Sequence, residues 1–363
     1  MSIKKIAINT GGGDAPGLNA VIRAVVLAAC NRGWECVGIR DAFNGLMLPD
    51  QYPDGWLIPL DRESVRGITH LGGTIIGTTN KGNPMKFPMK DKNGQIVSVN
   101  RLDEIVAAFE EQKIDALVAI GGDGSLTIAN ALYERGLRVI GVPKTIDNDL
   151  QETVITFGFD TAVSFATEAL DRLHSTAAAH QRVMVVEVMG RYAGWIALNT
   201  GVAGTADVIL IPEIPYDINK VADKIRTRDK DGRRFSLVVV AEGARPLGGD
   251  FAWISESNKR LGGISHQIAA ALQELTSKET RVVRLGHLLR GGTPTSFDRL
   301  LSLRFGAAAV RALEAGENGI MVALDPPTVH YVPLEQATSR MKTVPLDCDT
   351  MFTARDMGIS FGD

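Results

Sequence analysis

Short, continuously apolar segments alternate with longer helical patterns along most of this 363-residue chain. Continuous apolar runs of strand length are typical of parallel strands covered on both faces, so the alternation predicts an α/β fold built from βαβ units. The sequence predicts strands near residues 6–9, 35–39, 116–120, 138–142, 183–188, 208–211, 237–241 and 320–324. It predicts helices near residues 18–31, 102–111, 125–135, 161–177, 219–228, 264–276 and 296–315. The length allows two domains, or one large domain with an embedded second lobe.

Composition and charge exclude two classes of partner. With 39 basic and 42 acidic residues, the net charge of -3 provides no overall field that would attract nucleic acid or an anionic membrane. The three cysteines have no metal or redox spacing and are typical of reduced cytosolic thiols. The apolar part of the N-terminus is too short for a signal peptide, and no apolar run is long enough to span a bilayer. We therefore expect a cytoplasmic protein.

A glycine-rich run at residues 10–19 follows the first predicted strand and precedes the first predicted helix. A strand, a glycine-rich turn and a helix N-terminus can form a phosphate-binding loop, although a tight turn fits the same residues. The run lacks the Gly-Lys-Ser/Thr of a Walker loop and the glycine spacing of the dinucleotide fingerprint. Asp41 closes the second predicted strand, where a dinucleotide-binding protein places its ribose acid, so a dehydrogenase is an alternative that the missing spacing argues against.

Two further polar runs, at residues 121–125 and 143–149, each follow an apolar predicted strand. The first combines glycines with Asp123 and a predicted helix start at Ser125, which suits phosphate binding, although Asp123 also fits a plain helix cap. The second contains Asp147 and Asp149, which would point the same way in an extended loop. One carboxylate can hold Mg²⁺ between phosphates while another accepts a proton from an attacking hydroxyl. The two runs together indicate phosphoryl transfer.

Basic side chains lie near the ends of predicted strands in the second half of the chain. They are Arg182, Arg191, Arg281, His287 and Arg290. Arginine guanidinium groups bind phosphate oxygens in pairs, so several that converge could anchor a sugar phosphate. Each arginine alone is more often a solvated surface charge.

Five motifs, in order along the chain, carry a resemblance to a known family. They are GGDAPGLN at residues 12–19, GGDGS at 121–125, TIDND at 145–149, VEVMGR at 186–191 and LGHLLRGG at 285–292. Together they resemble the phosphofructokinase family over nearly the whole chain. The resemblance implies a Mg²⁺-dependent glycolytic enzyme that transfers the γ-phosphoryl group of ATP to the 1-hydroxyl of fructose 6-phosphate.

The resemblance also implies two lobes, each a mainly parallel sheet flanked by helices, with the active site in the cleft between them. We expect residues 1–158 and 291–340 to form a nucleotide-binding lobe and residues 159–290 a lobe that binds fructose 6-phosphate. Residues 341–363 are expected to form a C-terminal tail.

The same resemblance implies a role for each matching residue. Asp147 would be the general base on the sugar hydroxyl, Thr145 and Asp149 would orient sugar, phosphate and metal, Arg191 would also act in catalysis, and Asp123 would hold Mg²⁺. The donor would be bound by Gly13, Asn80, Lys81, Gly122, Asp123, Gly124, Ser125 and Lys144. The sugar phosphate would be bound by Thr145, Asp147, Asp149, Met189, Gly190, Arg191, Glu242, His287 and Arg290, and by Arg182 and Arg281 from a neighbouring subunit of a homotetramer.

Three positions bear on the identity of the donor. Lys81 stands where many ATP-dependent members have an arginine, and it cannot form arginine's paired contact with phosphate. Lys144 resembles pyrophosphate-using relatives, whereas Gly124 resembles ATP users, because pyrophosphate users usually carry an aspartate there. A carboxylate at position 124 would repel the α-phosphate of a nucleotide, whereas Lys144 only adds positive charge near phosphates. The sequence therefore predicts ATP as the donor, with pyrophosphate as the alternative.

An alternative from another class is a catalytically silent sugar-phosphate sensor. Such a protein would be expected to have lost Asp147 or Asp123, and both are present.

The effector pocket of the bacterial enzymes, which binds ADP or phosphoenolpyruvate, is matched only in part. Arg23, Arg233 and Arg234 correspond to its basic residues, whereas Leu27 and His174 stand where arginine is expected. The resemblance therefore implies a changed set of effectors or none.

Overall fold

The structure is a computed structural model that describes residues 3–255 and 260–363. The strands are β1 (Lys5–Thr10), β2 (Glu35–Ile39), β3 (Leu57–Leu60), β4 (Phe87–Lys90), β5 (Ile96–Val99), β6 (Ala116–Gly121), β7 (Val139–Pro143), β8 (Val183–Val188), β9 (Val208–Leu210), β10 (Ser236–Ala241), β11 (Trp253–Ser255), β12 (Arg260–Leu261), β13 (Thr280–Arg284), β14 (Ile320–Asp325) and β15 (Thr328–Pro333). The helices are α1 (Leu18–Cys30), α2 (Asn44–Met47), α3 (Leu102–Glu111), α4 (Asp123–Tyr133), α5 (Phe159–His180), α6 (Trp195–Ala203), α7 (Ile218–Lys230), α8 (Ile264–Thr276), α9 (Ser296–Ala315), α10 (Leu334–Ala337) and α11 (Asp349–Asp356). Short 3₁₀ helices occupy Pro49–Gln51, Pro84–Lys86 and Gly286–Arg290.

The chain divides into two compact units. Unit 1 contains Met1–Thr145, Leu150–Gly158 and Arg290–Met341, and unit 2 contains Ile146–Asp149, Phe159–Leu289 and Lys342–Asp363. The residues from Lys342 onward, predicted to form a C-terminal tail, belong to unit 2 and include α11.

Unit 1 is built on a seven-stranded sheet in the order β15-β14-β7-β6-β1-β2-β3. Neighbouring strands are parallel except at the two edges, where β3 and β15 pair antiparallel with β2 and β14. From β1 the chain continues to β2 on one side, whereas β6 and β7 lie on the other. The carboxyl ends of β1 and β6 therefore form a topological switch point, where open α/β sheets bind ligands.

Helices cover both faces of the unit 1 sheet. Along β1, Ile6 and Ile8 pack in the core formed with α1 and α9, whereas Ala7 packs in the core formed with α3, α4 and α10. This alternation is the two-residue period of a strand buried on both sides. The two covered sheet faces thus explain the continuous apolar run from Ile6 to Ile8.

Unit 2 is built on a four-stranded parallel sheet in the order β13-β8-β10-β9. Its core includes Val183 and Val185 of β8, Val238 and Val240 of β10, and apolar side chains of α7 and α8. Among the described residues, no helix combines the length and apolarity needed to cross a membrane.

Every strand and helix predicted from the sequence is present, and the predicted parallel sheets flanked by helices are confirmed. The strands that sequence analysis missed lie at sheet edges, as β3, β13 and β15 do, or in the hairpins β4-β5 and β11-β12. The edge strands β13 and β15 are only partly buried, and polar residues interrupt their apolar pattern. Strand β3 is apolar but only four residues long, and it contains Pro59, a residue that is unfavourable in strands. Helix α6 was missed because most of its residues are apolar or small and many are buried, which leaves no polar face to mark the helical period.

Candidate active site

Two glycine-rich loops meet at the switch point of unit 1. Strand β6 ends at Gly121, and Gly122 precedes the first residue of α4. A Cβ atom at Gly121 would lie 2.2 Å from Cβ of Ser125, and one at Gly11 would lie 2.5 Å from Ser125 Oγ. Ser125 therefore fits between the two loops only because both positions are glycine. The loop after β1 and the loop after β6 form one packed unit.

Helix α4 begins at Asp123, so the predicted start at Ser125 was wrong by two residues. A carboxylate in the first turn of a helix is stabilised by the positive end of the helix dipole, which explains the earlier start. The side chain of Asp123 is exposed. Gly124 is also exposed, and a Cβ atom there would meet no other atom within 4 Å. The amino end of α4 thus combines an exposed carboxylate, open space beside Gly124 and the positive end of the helix dipole.

Two cationic side chains border the first loop. Lys144 is only 3% exposed, and its Nζ donates a hydrogen bond to the Gly13 carbonyl oxygen. Its backbone N–H donates to the Gly121 carbonyl oxygen at 2.9 Å. A Cβ atom at Gly13 would lie 2.8 Å from Nη1 of Arg290, which donates to the Asp14 carbonyl oxygen at 3.1 Å. The loop is therefore placed in a strongly positive environment suited to phosphate.

A third segment of unit 1 is tied to the same loop. The Thr78 hydroxyl donates to the Gly12 carbonyl oxygen at 2.7 Å, and the Gly12 N–H donates to the Thr79 carbonyl oxygen at 3.0 Å. Asn80 and Lys81 follow directly and are exposed. The predicted donor residues of this segment are thus anchored by their neighbours while their own side chains face solvent.

Asp41, the acid on which the dehydrogenase alternative depends, makes contacts within unit 1 instead. Its Oδ2 accepts the Tyr52 hydroxyl at 2.7 Å. A Cβ atom at Gly77 would lie 1.9 Å from Asp41 Oδ1. The carboxylate is held between side chain and backbone of its own unit, which argues against a ribose-binding role.

Two residues predicted to contact the sugar phosphate belong to unit 1. Thr145 is nearly buried and its carbonyl oxygen accepts the Thr156 hydroxyl at 2.7 Å. Arg290 lies against the first glycine loop, as described above. The other predicted sugar-phosphate residues belong to unit 2.

In unit 2, the loop Ile146–Asp149 carries three nearly buried polar side chains. Asp147, Asn148 and Asp149 are 4%, 4% and 8% exposed. Lys342 Nζ donates to Asn148 Oδ1 at 3.0 Å. Burial lowers the pKa of Lys342 to about 8, and the Asp149 carboxylate opposes that shift. The loop therefore holds two acids in fixed positions next to a lysine that sequence analysis did not identify.

The remaining unit 2 residues predicted for the sugar phosphate follow the carboxyl ends of adjacent strands. Met189, Gly190 and Arg191 follow β8, Glu242 follows β10, and His287 lies beyond β13. The Arg191 N–H donates to Glu242 Oε1 at 3.1 Å, which joins the first two groups. Arg191 and His287 are exposed. The structure thus places these residues at the carboxyl ends of the unit 2 strands.

Arg182 and Arg281 lie at the opposite, amino ends of the unit 2 strands. Arg182 precedes β8 and Arg281 is the second residue of β13, so both are at the amino ends of their strands. Both pair with Glu279, Arg182 through Nε at 2.7 Å. The six residues of β8 span about 20 Å and separate Arg182 from Arg191 along the strand direction. Arg281 lies next to Met184 of β8, on the Arg182 side.

The residues present are compatible with Mg²⁺ bound together with a phosphate substrate. Among the described residues, no group of three or more His, Cys, Asp and Glu side chains could hold a metal ion by itself. Mg²⁺ is commonly bound by one or two carboxylates together with substrate phosphates and water. The exposed Asp123, beside two glycine loops, fits that mode.

Unit 2 also contains a surface recess of about 570 Å³. Arg228, Arg233 and Arg234 line it together with Phe235. Of the arginines that the family resemblance assigned to an effector pocket, Arg233 and Arg234 line this recess. His174 Nε2 lies 3.0 Å from the Gly204 carbonyl oxygen, and its ring packs edge-on against Phe235.

Comparison with known proteins agrees with the motifs. The family model described as phosphofructokinase matches residues 5–313. The chain is 52% identical over 360 residues to the ATP-dependent 6-phosphofructokinase of Chloroflexus aurantiacus, covering 99% of this chain and 98% of that protein. It is 45% identical over 350 residues to the pyrophosphate–fructose 6-phosphate 1-phosphotransferase of Amycolatopsis mediterranei, covering 94% of this chain and 97% of that one.

A solved structure gives the same result for the fold. Phosphofructokinase from Saccharomyces cerevisiae matches with a TM-score of 0.76 and 31% identity, over 93% of this chain. The match covers 45% of the yeast chain, so this chain spans less than half of that protein's length. From the family model and the full-length relatives together, the chain belongs to the phosphofructokinase family.

Proposed function

We propose that the chain is an ATP-dependent 6-phosphofructokinase, which transfers the γ-phosphoryl group of ATP to the 1-hydroxyl of fructose 6-phosphate in glycolysis. The observation that carries the proposal is the joined pair of glycine loops at the switch point of unit 1, packed around Ser125 and bordered by Lys144. The C. aurantiacus relative, which matches over nearly its full length, is named for this activity.

The donor is assigned to unit 1. The proposed donor residues are Gly13, Asn80, Lys81, Gly122, Asp123, Gly124, Ser125 and Lys144. Backbone N–H groups at the start of α4 and the ammonium group of Lys144 would bind phosphate oxygens. Asp123 would hold Mg²⁺, which when bound offsets the negative charge of the donor phosphates.

The acceptor is assigned mainly to unit 2. Asp147 would accept the proton of the sugar 1-hydroxyl as that oxygen attacks the γ-phosphorus and the bond to the β–γ bridging oxygen breaks. Thr145 and Asp149 would orient the reacting groups, and the guanidinium of Arg191 would stabilise charge on the transferring phosphoryl group. Most of the rate enhancement would come from positioning and electrostatics, because phosphoryl transfer needs little covalent help.

The 6-phosphate would be bound at the carboxyl edge of the unit 2 sheet. Met189, Gly190, Arg191, Glu242 and His287 are proposed to bind the sugar phosphate together with Arg290. Arg182 and Arg281 are proposed to bind the sugar phosphate in the site of a neighbouring subunit. Their position at the amino ends of the unit 2 strands supports that assignment. This arrangement requires an oligomer, which we propose is a homotetramer in the cytoplasm. The partial match to the effector pocket supports a changed set of effectors.

The test is formation of fructose 1,6-bisphosphate by the purified protein with MgATP and, separately, with magnesium pyrophosphate. We expect kcat/KM to be at least about tenfold higher with ATP. Turnover with pyrophosphate alone would contradict the proposed donor. Turnover with neither donor, with fructose 6-phosphate still bound, would favour a catalytically silent sensor.

Pyrophosphate is the second candidate donor because Lys144 and the A. mediterranei relative favour it. Gly124 decides between the donors in our proposal, since space beyond its Cα is open. Gly124→Asp should therefore fold normally but lower kcat/KM for MgATP by about 10- to 100-fold through repulsion of the nucleotide phosphates.

Gly124→Ala is the matched control, because it adds a Cβ atom in the same open space without charge. We expect it to stay within about threefold of the parent protein. If both variants lost ATP turnover equally, or if Gly124→Asp weakened fructose 6-phosphate binding as much as ATP use, Gly124 would not select the donor.

A further inference from the structure

Lys342 holds two consecutive residues of the loop Ile146–Asp149, all within unit 2. Its Nζ donates to Asn148 Oδ1 at 3.0 Å, and its backbone N–H donates to the Asp149 carbonyl oxygen at 2.8 Å. One contact comes from the side chain and the other from the main chain. Lys342 therefore fixes both the position and the direction of the loop at these residues.

The loop conformation needs such support. Asn148 has φ 51°, in the left-handed region that residues other than glycine rarely adopt. Asn148 lies directly between Asp147 and Asp149, so rotation of its backbone would move both carboxylates. Asparagine adopts this region more readily than most non-glycine residues, and the contacts with Lys342 fix which way its side chain and the loop are directed.

Lys342 is itself held from two sides. Its carbonyl oxygen accepts the indole N–H of Trp195 at 3.0 Å, and its Nζ lies 5.6 Å from the centre of the Trp195 ring. Two residues further on, the Val344 N–H donates to Glu213 Oε1 at 2.9 Å, and the same oxygen accepts the Gly194 N–H at 3.0 Å. These contacts fix the segment 342–344 to the start of α6. Because the segment 342–344 is held in place, Lys342 can in turn hold the loop Ile146–Asp149 in one conformation.

We propose that Lys342 is a positioning residue for phosphoryl transfer, which holds the loop Ile146–Asp149 so that Asp147 meets the acceptor hydroxyl in the reactive geometry. The inference rests on the proposed role of Asp147. Lys342 acts through Asn148 and Asp149 and makes no contact with substrate in this account. Loss of its side chain should therefore lower kcat and leave substrate binding nearly intact.

The experiment compares Lys342→Met with Lys224→Met in the full chain. Lys224 Nζ donates to the Gly358 carbonyl oxygen at 2.7 Å, so it anchors the same C-terminal segment at a point far along the chain from Lys342. We measure kcat, KM for both substrates and the melting temperature. Lys342→Met should lower kcat by about 100-fold with KM values within about threefold, whereas Lys224→Met should keep kcat within about twofold.

Asn148→Gly provides an independent variant, since glycine adopts the same φ without strain but removes the amide that Lys342 binds. It should also lower kcat with little change in KM, and it decides the matter if Lys342→Met does not fold. The inference is overturned if kcat of Asn148→Gly and of any folded Lys342→Met is unchanged, or if Lys224→Met reproduces the loss. A parent protein without fructose 6-phosphate phosphorylation would instead refute the proposed function.

Discussion

Asp123 and Asp147, the two acids central to the proposed chemistry, occupy different environments. Asp123 is exposed in the first turn of α4, where ligands can exchange freely. Asp147 is only 4% exposed in a loop whose next residue has left-handed backbone. An exposed carboxylate suits binding of a metal that arrives with the donor, whereas a fixed, buried one suits proton transfer at a defined atom.

The first prediction concerns Asp147. Asp147→Asn keeps the size of the side chain but removes the proton acceptor, so kcat should fall by about 10²- to 10⁴-fold while KM for ATP changes little. Steady-state kinetics of the purified variant measure this. Asp223→Asn, on an exposed side chain of α7 paired with Arg226, is the control and should retain full activity. Retention of kcat in Asp147→Asn would remove Asp147 from the reaction.

At the scale of elements, the start of α6 and the segment 342–344 depend on one carboxylate. Glu213 Oε1 accepts two backbone N–H groups, from Gly194 and Val344. Burial raises the pKa of the Glu213 carboxyl above its ordinary value of 4.5, and the two N–H donors only partly oppose this. Ionised Glu213 therefore anchors the segment at a cost in desolvation.

The second prediction is a pH dependence of stability. Because its pKa is higher in the folded protein, Glu213 binds more protons when folded, so its contribution lowers the free energy of unfolding as pH rises from about 4.5 through the raised value. Glu213→Gln keeps an acceptor oxygen and removes this titration. Urea unfolding across that pH window should show the variant gaining stability relative to the parent as pH rises. Glu274→Gln, exposed in α8, should run parallel to the parent, and parallel curves for Glu213→Gln would contradict the account.

At the scale of the whole molecule, the residues proposed to bind the sugar phosphate lie at both ends of the unit 2 strands. Arg191 and His287 lie at the carboxyl edge, whereas Arg182 and Arg281 lie at the amino edge and share Glu279. If residues at both ends of these strands bind the same sugar phosphate, the separation of the two ends favours a site shared by two copies. The proposed oligomer is therefore part of the proposed site.

The third prediction follows from that assignment. Inactive Asp147→Asn subunits mixed with Arg182→Ala subunits should regain activity after dissociation and reassembly, because some sites then combine an intact Asp147 with a neighbour's intact Arg182. Asp147→Asn mixed with Arg191→Ala is the matched control and should not regain activity, since both residues are assigned to the same subunit. Activity assays of the reassembled mixtures measure this. Equal recovery in both mixtures would argue against the shared site.

Much of the fold and part of the candidate site could be predicted from sequence. Strands buried on both faces, such as β6 and β10, appear as continuous apolar runs. Glycine runs directly after β1 and β6 mark the loops. The edge strand β13 has only two apolar residues, Val282 and Val283, between arginines, and so escaped prediction. Lys342 carries no local signal either, because it is a single lysine in a segment without clear periodicity. Its importance comes from contact with residues nearly two hundred positions away in the chain.

Transfer of a phosphoryl group from ATP to fructose 6-phosphate is the central claim, and the fate of the γ-phosphoryl group tests it most directly. The purified protein is incubated with fructose 6-phosphate, Mg²⁺ and ATP radiolabelled at the γ-phosphoryl group, and the products are separated. The account predicts ADP and labelled fructose 1,6-bisphosphate in equal amounts, with the label on carbon 1. Labelled inorganic phosphate in place of a labelled sugar, or no consumption of ATP, would contradict it.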